Sequence, residues 1–179
     1  MTIHLARHGQ TAYNHEGRFQ GHLPVPLDST GRAQAAALAQ AAAEVELVSL
    51  WSSPLRRARE TADIVAARIG LQPREDARFA ETDTGDWTGR SFAEIGAEDP
   101  EGFARFERSD ASFRYPGGES FAEQSERVQA ALADLRARPA QLPALVVCHR
   151  GVIRLALAAA LGDDTAGARE IRNAALVTL

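Results

Sequence analysis

Cysteine is almost missing from this chain: Cys148 is the only one in 179 residues. A single cysteine excludes an internal disulfide and any zinc site built on several thiolates. It lies in the apolar run Ala144–Cys148 and reads as a small buried hydrophobe, not as a nucleophile. Long hydrophobic runs are also lacking. None approaches the roughly 18 residues of a membrane span. The N-terminus has no charged stretch followed by a long apolar one, so no secretory signal is expected and the chain reads as cytoplasmic. Nor is there an excess of positive charge. A net charge of −4 and a pI of about 5.7 argue against a broad nucleic-acid or anionic-membrane surface, while leaving room for a local arginine cluster. Internal repeats, heptads and low-complexity linkers are absent.

What is present is an ordinary globular balance, 45% hydrophobic and 25% charged, in a length that suits one domain over residues 1–179. Ile3–Ala6 reads as a short buried strand, and 8–29 mainly as loop on its Gly, Pro, Asn and Asp. Asp28-Ser29-Thr30-Gly31 leads into an Ala-rich helix to about Ala43, with Ser or Thr as its cap. Val45–Trp51 is a second strand. Pro54 suits the first turn of a helix over Leu55–Ile69, which Gly70 ends. A mixed segment, 84–118, precedes a long helix, Glu119–Arg138, stopped by Pro139. Ala144–Cys148 is a continuous apolar run, as expected in a sheet covered on both faces. A helix over Val152–Leu161, ended by Gly162, and a last strand within Ala174–Leu179 follow. Strands alternating with helices predict an α/β fold, a three-layer α/β/α sandwich around a central, mostly parallel sheet.

Ligand sites in such sheets lie beyond the carboxyl ends of the strands. Arg7-His8-Gly9 falls at the end of the first strand, and His149, in Val147-Cys148-His149-Arg150-Gly151, falls at the end of the clearest one. Two histidines at the ends of two buried strands, with an arginine beside the first, suggest one site built to hold a phosphate and attack it. Taken singly, Arg7 and Arg57 read as surface salt-bridge residues, His149 as a satisfied core histidine and Glu81 as a solvated carboxylate.

Four blocks in order reverse those separate readings. Leu5-Ala6-Arg7-His8-Gly9-Gln10-Thr11-Ala12-Tyr13-Asn14 resembles the signature of the histidine phosphatase superfamily, also called phosphoglycerate mutase-like. Ser52-Ser53-Pro54-Leu55-Arg56-Arg57-Ala58-Arg59-Glu60-Thr61-Ala62 resembles its second-arginine block, and Phe79-Ala80-Glu81-Thr82-Asp83-Thr84-Gly85-Asp86-Trp87-Thr88-Gly89 its general-acid block. Cys148-His149-Arg150-Gly151-Val152-Ile153-Arg154 resembles its second-histidine block. The resemblance implies a phosphoglycerate mutase-like fold and a catalytic set of His8, Glu81, Arg7, Arg57 and His149. His8 would attack the phosphorus while neutral on its attacking nitrogen. Arg7 and Arg57 would grip the dianion, whose charge must be offset before a nucleophile can approach. His149, if protonated, would add a donor. Glu81 would protonate the leaving alkoxide and then activate water. Asn14, Gln20, Gly21, Arg150 and Gly151 join Arg7, Arg57 and His149 as expected phosphate- or substrate-binding positions. No metal or other cofactor is expected, and no cluster of carboxylates is there to hold one.

The same family includes mutases. Those are longer, with an insertion after the acid block and a C-terminal tail over the site, whereas here the last expected strand lies close to Leu179. Thr82-Asp83-Thr84-Gly85-Asp86-Trp87-Thr88-Gly89 is closer to the phosphatase form of the acid block, so a phosphatase of small phosphomonoesters is expected. The alternatives are a cofactor-dependent phosphoglycerate mutase, a phosphohistidine protein phosphatase and a silent phospho-ligand binder. Residues 90–118 should form a small cap with a Phe-rich core, from which Arg114 or Tyr115 reaches substrate. Pro116-Gly117-Gly118-Glu119-Ser120 is similar to the run in α-ribazole phosphatases and broad-specificity sugar-phosphate phosphatases. Arg150 stands where the family often has Gly and either faces solvent or adds charge to the pocket mouth. His4, His15 and His22 read as ordinary surface histidines, with His22 near enough the pocket to touch substrate. Arg56 and Arg59 face away from Arg57 and read as solvated. The expected partner is a small phosphomonoester, with no nucleic acid and no membrane; a homodimer is the candidate assembly.

Overall fold

The computed structural model describes residues 2–110, 112–162 and 170–179. The expected three layers are formed. The strands are β1 (Ile3–Arg7), β2 (Ser49–Ser52), β3 (Pro73–Glu75), β4 (Ala144–Cys148) and β5 (Leu176–Thr178), in the spatial order β3-β2-β4-β1-β5. All neighbours are parallel except β5, which runs antiparallel to β1. β4 is central and explains why its sequence is apolar throughout. Ala144, Val146 and Cys148 face one side, where α6 (Phe121–Arg136) and α7 (Arg150–Leu161) pack. Leu145 and Val147 face the other, against α2 (Ser29–Ala43) and α3 (Arg56–Ile69). Cys148 is buried as expected, and burial pushes its thiol up, away from a reactive thiolate.

Several boundaries differ from expectation for local reasons. The second strand begins at Ser49, because residues after α2 turn back on themselves, Val45 N–H donating to the Ala42 carbonyl and Leu47 N–H to that of Val45. The helix α2 is capped by Asp28, whose carboxylate accepts the Gly31 N–H at 2.7 Å, and not by Ser29 or Thr30. Pro54 lies before α3, whose cap is Leu55. A short helix, α1 (Ala12–His15), interrupts the region read as loop, held by a capping box between Thr11 and Asn14. β3 was not anticipated: three residues at a sheet edge carry no periodic signal. The helix α7 starts at Arg150, two residues earlier than read, which puts Arg150 and Gly151 in its first turn.

The segment before α6 folds into two short helices, α4 (Phe92–Glu98) and α5 (Pro100–Glu107), each with an acceptor side chain at its N-cap. Their aromatic faces join a third core of Phe19, Trp87, Ile95, Phe113, Tyr115 and Phe121. This is the expected Phe-rich core, although Phe19, Trp87 and Phe121 come from outside the segment; Ala111 within it lies outside the described residues. Among the described residues no helix is long and apolar enough to cross a membrane.

Candidate active site

Strand pairing brings the two histidines together. Arg7 and Cys148 are partners in the β1–β4 register, so the next residue on each strand, His8 and His149, leaves the sheet at the same edge. Their rings lie 5.1 Å apart, centroid to centroid, and both are buried. His8 N–H donates to the Cys148 carbonyl at 3.0 Å. The His8 ring Nδ1 is 2.7 Å from the Gly9 carbonyl. A carbonyl only accepts, so Nδ1 carries the proton and Nε2 keeps the lone pair of the neutral ring. Burial, then the guanidinium groups of Arg57 and Arg7, hold His8 well below its usual range, which keeps that lone pair free at neutral pH. Gly9 is needed for close approach: a Cβ there would lie 2.3 Å from the Gly31 carbonyl oxygen at the start of α2.

Arg57, in the first turn of α3, is 1% exposed. Its Nη2 donates to the Gly21 carbonyl at 2.9 Å and its Nη1 to that of Leu23 at 3.2 Å, so the loop from α1 to α2 orients it. Arg7 Nη1 donates to the Ile171 carbonyl at 2.8 Å. Burial lowers both guanidiniums to about 10, with Glu81 opposing the fall in each case. Both remain cations at neutral pH. Arg7 Nε, Arg57 Nε and His149 Nδ1 are buried with no hydrogen-bond partner. Buried polar atoms normally find partners, so these unpartnered nitrogens suit an anion with several oxygens. His149 Nε2 is 2.8 Å from the Ser53 hydroxyl, which already accepts the Leu55 N–H at 3.2 Å. Burial, then Arg57, His8 and Arg7, hold His149 well below its usual range. It is therefore neutral in the free protein, and the protonated form expected of it requires an anion beside it.

Glu81 closes the opposite side. Its Oε1 accepts from Thr82 N–H at 3.0 Å and from the Gln124 amide at 3.2 Å, and its Oε2 from Gly151 N–H at 3.4 Å in the first turn of α7. Gln124 is fully buried in α6 and in turn accepts the Thr82 hydroxyl. Arg127, also on α6, donates to the carbonyls of Arg78, Ala80 and Glu81, clamping the segment that presents the carboxylate.

The structure brings the expected site residues together: Arg7, His8, Asn14, Gln20, Gly21, Arg57, Glu81, Arg150 and Gly151 line one cavity of about 120 Å³, and His149 is outside its lining with its ring 5.1 Å from that of His8. Asn14 turns its carbonyl oxygen to Thr11 N–H (3.1 Å) and the Asn173 amide (3.3 Å), leaving its own amide nitrogen for a ligand. Gly21 has φ +46° and lies so close to Thr84 that a Cβ would meet its hydroxyl at 2.5 Å. Arg150 is exposed and lines the cavity. Tyr115 lines the cavity, whereas Arg114 pairs with Glu123 at 2.6 Å on the surface. His22 is exposed and its Nε2 lies 2.8 Å from the Glu81 carbonyl, outside the cavity lining. Arg56 and Arg59 point outward as expected, though each pairs with a carboxylate, Glu60 and Glu75. Ser53, Thr82, Gln124, Arg127 and Asn173 were not singled out in sequence; each also bonds a partner tens of residues away, which leaves no local pattern. Arg154 had a signal, its i+4 spacing from Arg150 on one helix face. Among the described residues no group of three or more His, Cys, Asp or Glu is placed to hold a metal ion.

Comparison with known proteins agrees with this geometry. A family model described as "Histidine phosphatase superfamily (branch 1)" matches residues 3–179. A glucosyl-3-phosphoglycerate phosphatase of Mycobacterium tuberculosis is 39% identical over 165 residues, covering 88% of this chain and 73% of the relative. A solved structure of the mycobacterial glucosyl-3-phosphoglycerate phosphatase with VO3 superposes with a TM-score of 0.90 at 35% identity, covering 99% of this chain and 90% of that one. A probable phosphoglycerate mutase GpmB of Salmonella choleraesuis is 33% identical over 173 residues, covering 96% of this chain and 80% of the relative. The structure of a putative alpha-ribazole-5'-P phosphatase from Escherichia coli has a TM-score of 0.87 at 29% identity, covering 99% and 89% of the two chains.

Proposed function

Because this chain belongs to the histidine phosphatase superfamily, branch 1, we propose that it is a metal-independent phosphatase that hydrolyses small phosphomonoesters through a phosphohistidine on His8. The observation that carries this reading is the His8 ring itself: neutral, tied through Nδ1 to Gly9, and flanked by the guanidiniums of buried Arg57 and half-buried Arg7. Arg7, Arg57 and His149 neutralise the phosphate. The His8 Nε2 lone pair forms the P–N bond as the P–O bond to the leaving group breaks, and Glu81 gives its proton to the departing oxygen. Glu81 then takes a proton from water, whose oxygen attacks the phosphorus and breaks the P–N bond, restoring neutral His8 and releasing phosphate. The protein supplies positioning and charge more than covalent chemistry. On this reading residues 1–179 work as one domain, with 90–118 as the cap over the cavity, acting on a small molecule in the cytoplasm. Phosphatase relatives support it, and the mutase relative is the reason to identify the product directly.

Phosphorus NMR of the protein with a mixed set of phosphomonoesters, including 3-phosphoglycerate, tests it, with His8→Ala as control. Inorganic phosphate formed only by the wild type is expected. Conversion of 3-phosphoglycerate to its 2-isomer with little free phosphate would establish a mutase instead. Unchanged esters throughout would leave the phosphohistidine protein phosphatase and the silent binder.

A further inference from the structure

The cavity holds more positive charge than one phosphate uses. Arg7, Arg18, Arg57, Arg150 and Arg154 line it, against the single carboxylate of Glu81. Arg7 and Arg57 flank His8. Arg18 is engaged by Glu16 at 2.8 Å and by the Gly89 carbonyl at 3.0 Å. Arg150 and Arg154 remain, and neither forms an ion pair among the described residues. They lie four residues apart on α7, so they share a face and are separated by about 6 Å along the axis.

Arg154 is the unusual one. It is 9% exposed, its guanidinium carbon sits 4.6 Å from the Phe121 ring centroid, and its Nη1 donates to the Ser109 hydroxyl at 2.6 Å. Its Nε is buried and has no partner. A cation desolvated to this extent with no ion pair among the described residues is costly, and burial lowers its basicity. Phe121 holds the guanidinium plane in place. The Nε–H lies on the edge that grips two carboxylate oxygens side-on.

We propose that Arg154, assisted by Arg150, forms a second anion subsite in this cavity and that the substrate is a phosphomonoester carrying a carboxylate. This rests on the phosphatase reading above and names its substrate class. Size favours a carboxylate over a second phosphate. An ordered water needs roughly 10–15 Å³, so about 120 Å³ admits on the order of ten non-hydrogen atoms beside the walls. Helix rise places Arg154 about 7–8 Å beyond His149 along the axis, a span that a short phosphorylated acid bridges.

The test compares 3-phosphoglycerate with glycerol 3-phosphate, which differ only in a carboxylate against a hydroxymethyl group. Steady-state phosphate release by the wild type is expected to favour the acid at least tenfold in kcat/KM, mostly through KM. Arg154→Gln should lower that ratio at least fivefold, and Arg154→Lys, which keeps the charge but not the fork, should lower it less. Arg150→Gln, exposed and harmless to folding, should lower it about twofold and decides together with Arg154→Lys if circular dichroism shows Arg154→Gln unfolded. A wild-type ratio near one, or a ratio that no variant changes, overturns the subsite. If the wild type releases phosphate from neither compound nor from the mixed set of phosphomonoesters, the phosphatase reading fails. Calorimetric titration of both compounds then judges the subsite separately: tighter binding of the acid, lost in Arg154→Gln, supports it, and equal affinities or no binding overturn it.

Discussion

Glu81 and Gly151 touch across the site: the Gly151 N–H donates to the Glu81 carboxylate at 3.4 Å, and a Cβ at 151 would lie 2.4 Å from Glu81 Oε1. Gly151→Ala is therefore a clean probe of the carboxylate. The clash falls on the end of a flexible side chain, and alanine is the better helix former. The melting temperature should hold or rise slightly while kcat falls at least tenfold, as Glu81 is pushed off its position. Unchanged kcat with unchanged stability would remove Glu81 from the proton transfer. The same contact explains why Gly151, expected as a ligand contact, also serves to seat the acid.

Gln124 is a positioning residue that leaving-group chemistry can separate from a structural one. It is fully buried and joins Glu81 to Thr82. Gln124→Leu removes these bonds and should cost about 1–3 kcal/mol of stability. A phenolate as acidic as that of p-nitrophenyl phosphate leaves without a proton, whereas an alkoxide does not. The variant should lose at least tenfold in kcat/KM, which reports the step of leaving-group departure, on an alkyl phosphate and much less on p-nitrophenyl phosphate. Equal losses on both would make Gln124 merely structural.

Stability should fall in mild acid, with a sign fixed by the two buried histidines. His8 and His149 are held well below 6.5 in the folded chain. Unfolded, they take up protons near that value, so the unfolded state binds more protons below it. Their stabilisation is intact above about pH 6.5 and declines as pH falls toward the folded values, by about 1.4 kcal/mol per pH unit for each ring. Urea unfolding between pH 7 and 5 should show this slope, and His8→Asn should reduce it by about one ring's share. Parallel slopes for the two proteins would mean that His8 is not held neutral.

Anion binding should draw in a proton. His149 is neutral in the free chain, with its Nδ1 buried and unpartnered. A dianion beside it favours the imidazolium. Sulfate, which does not titrate near neutrality, serves as the probe. Calorimetry at pH 7 in buffers of different ionisation enthalpy should show fractional proton uptake that disappears in His149→Ala. Binding with no proton exchange in the wild type would place His149 outside the anion's reach.

The four sequence blocks located the residues that meet around the cavity because each is short and local: a strand end, a helix start or a turn supplies the residue types at fixed spacing. Burial on both faces of a central strand made Ala144–Cys148 legible for the same reason. The elements misread were those whose boundaries depend on one hydrogen bond, such as the Asp28 cap of α2, or on an edge position, such as β3.

By itself, then, the sequence determined the α/β class, the two histidines at strand ends and the arginines that accompany them, because apolar periodicity and strand-end motifs are written in consecutive residues. Tertiary structure alone decided what surrounds them. Register between β1 and β4 set His8 against His149, and helix α6 brought Gln124 onto the Glu81 carboxylate and Arg127 onto the Glu81 backbone carbonyl, each more than 40 residues away. Packing of α7 on Phe121 buried Arg154 in the cavity. Those contacts arise from close packing between distant segments, and spacing along one chain carries no record of which distant surfaces will meet.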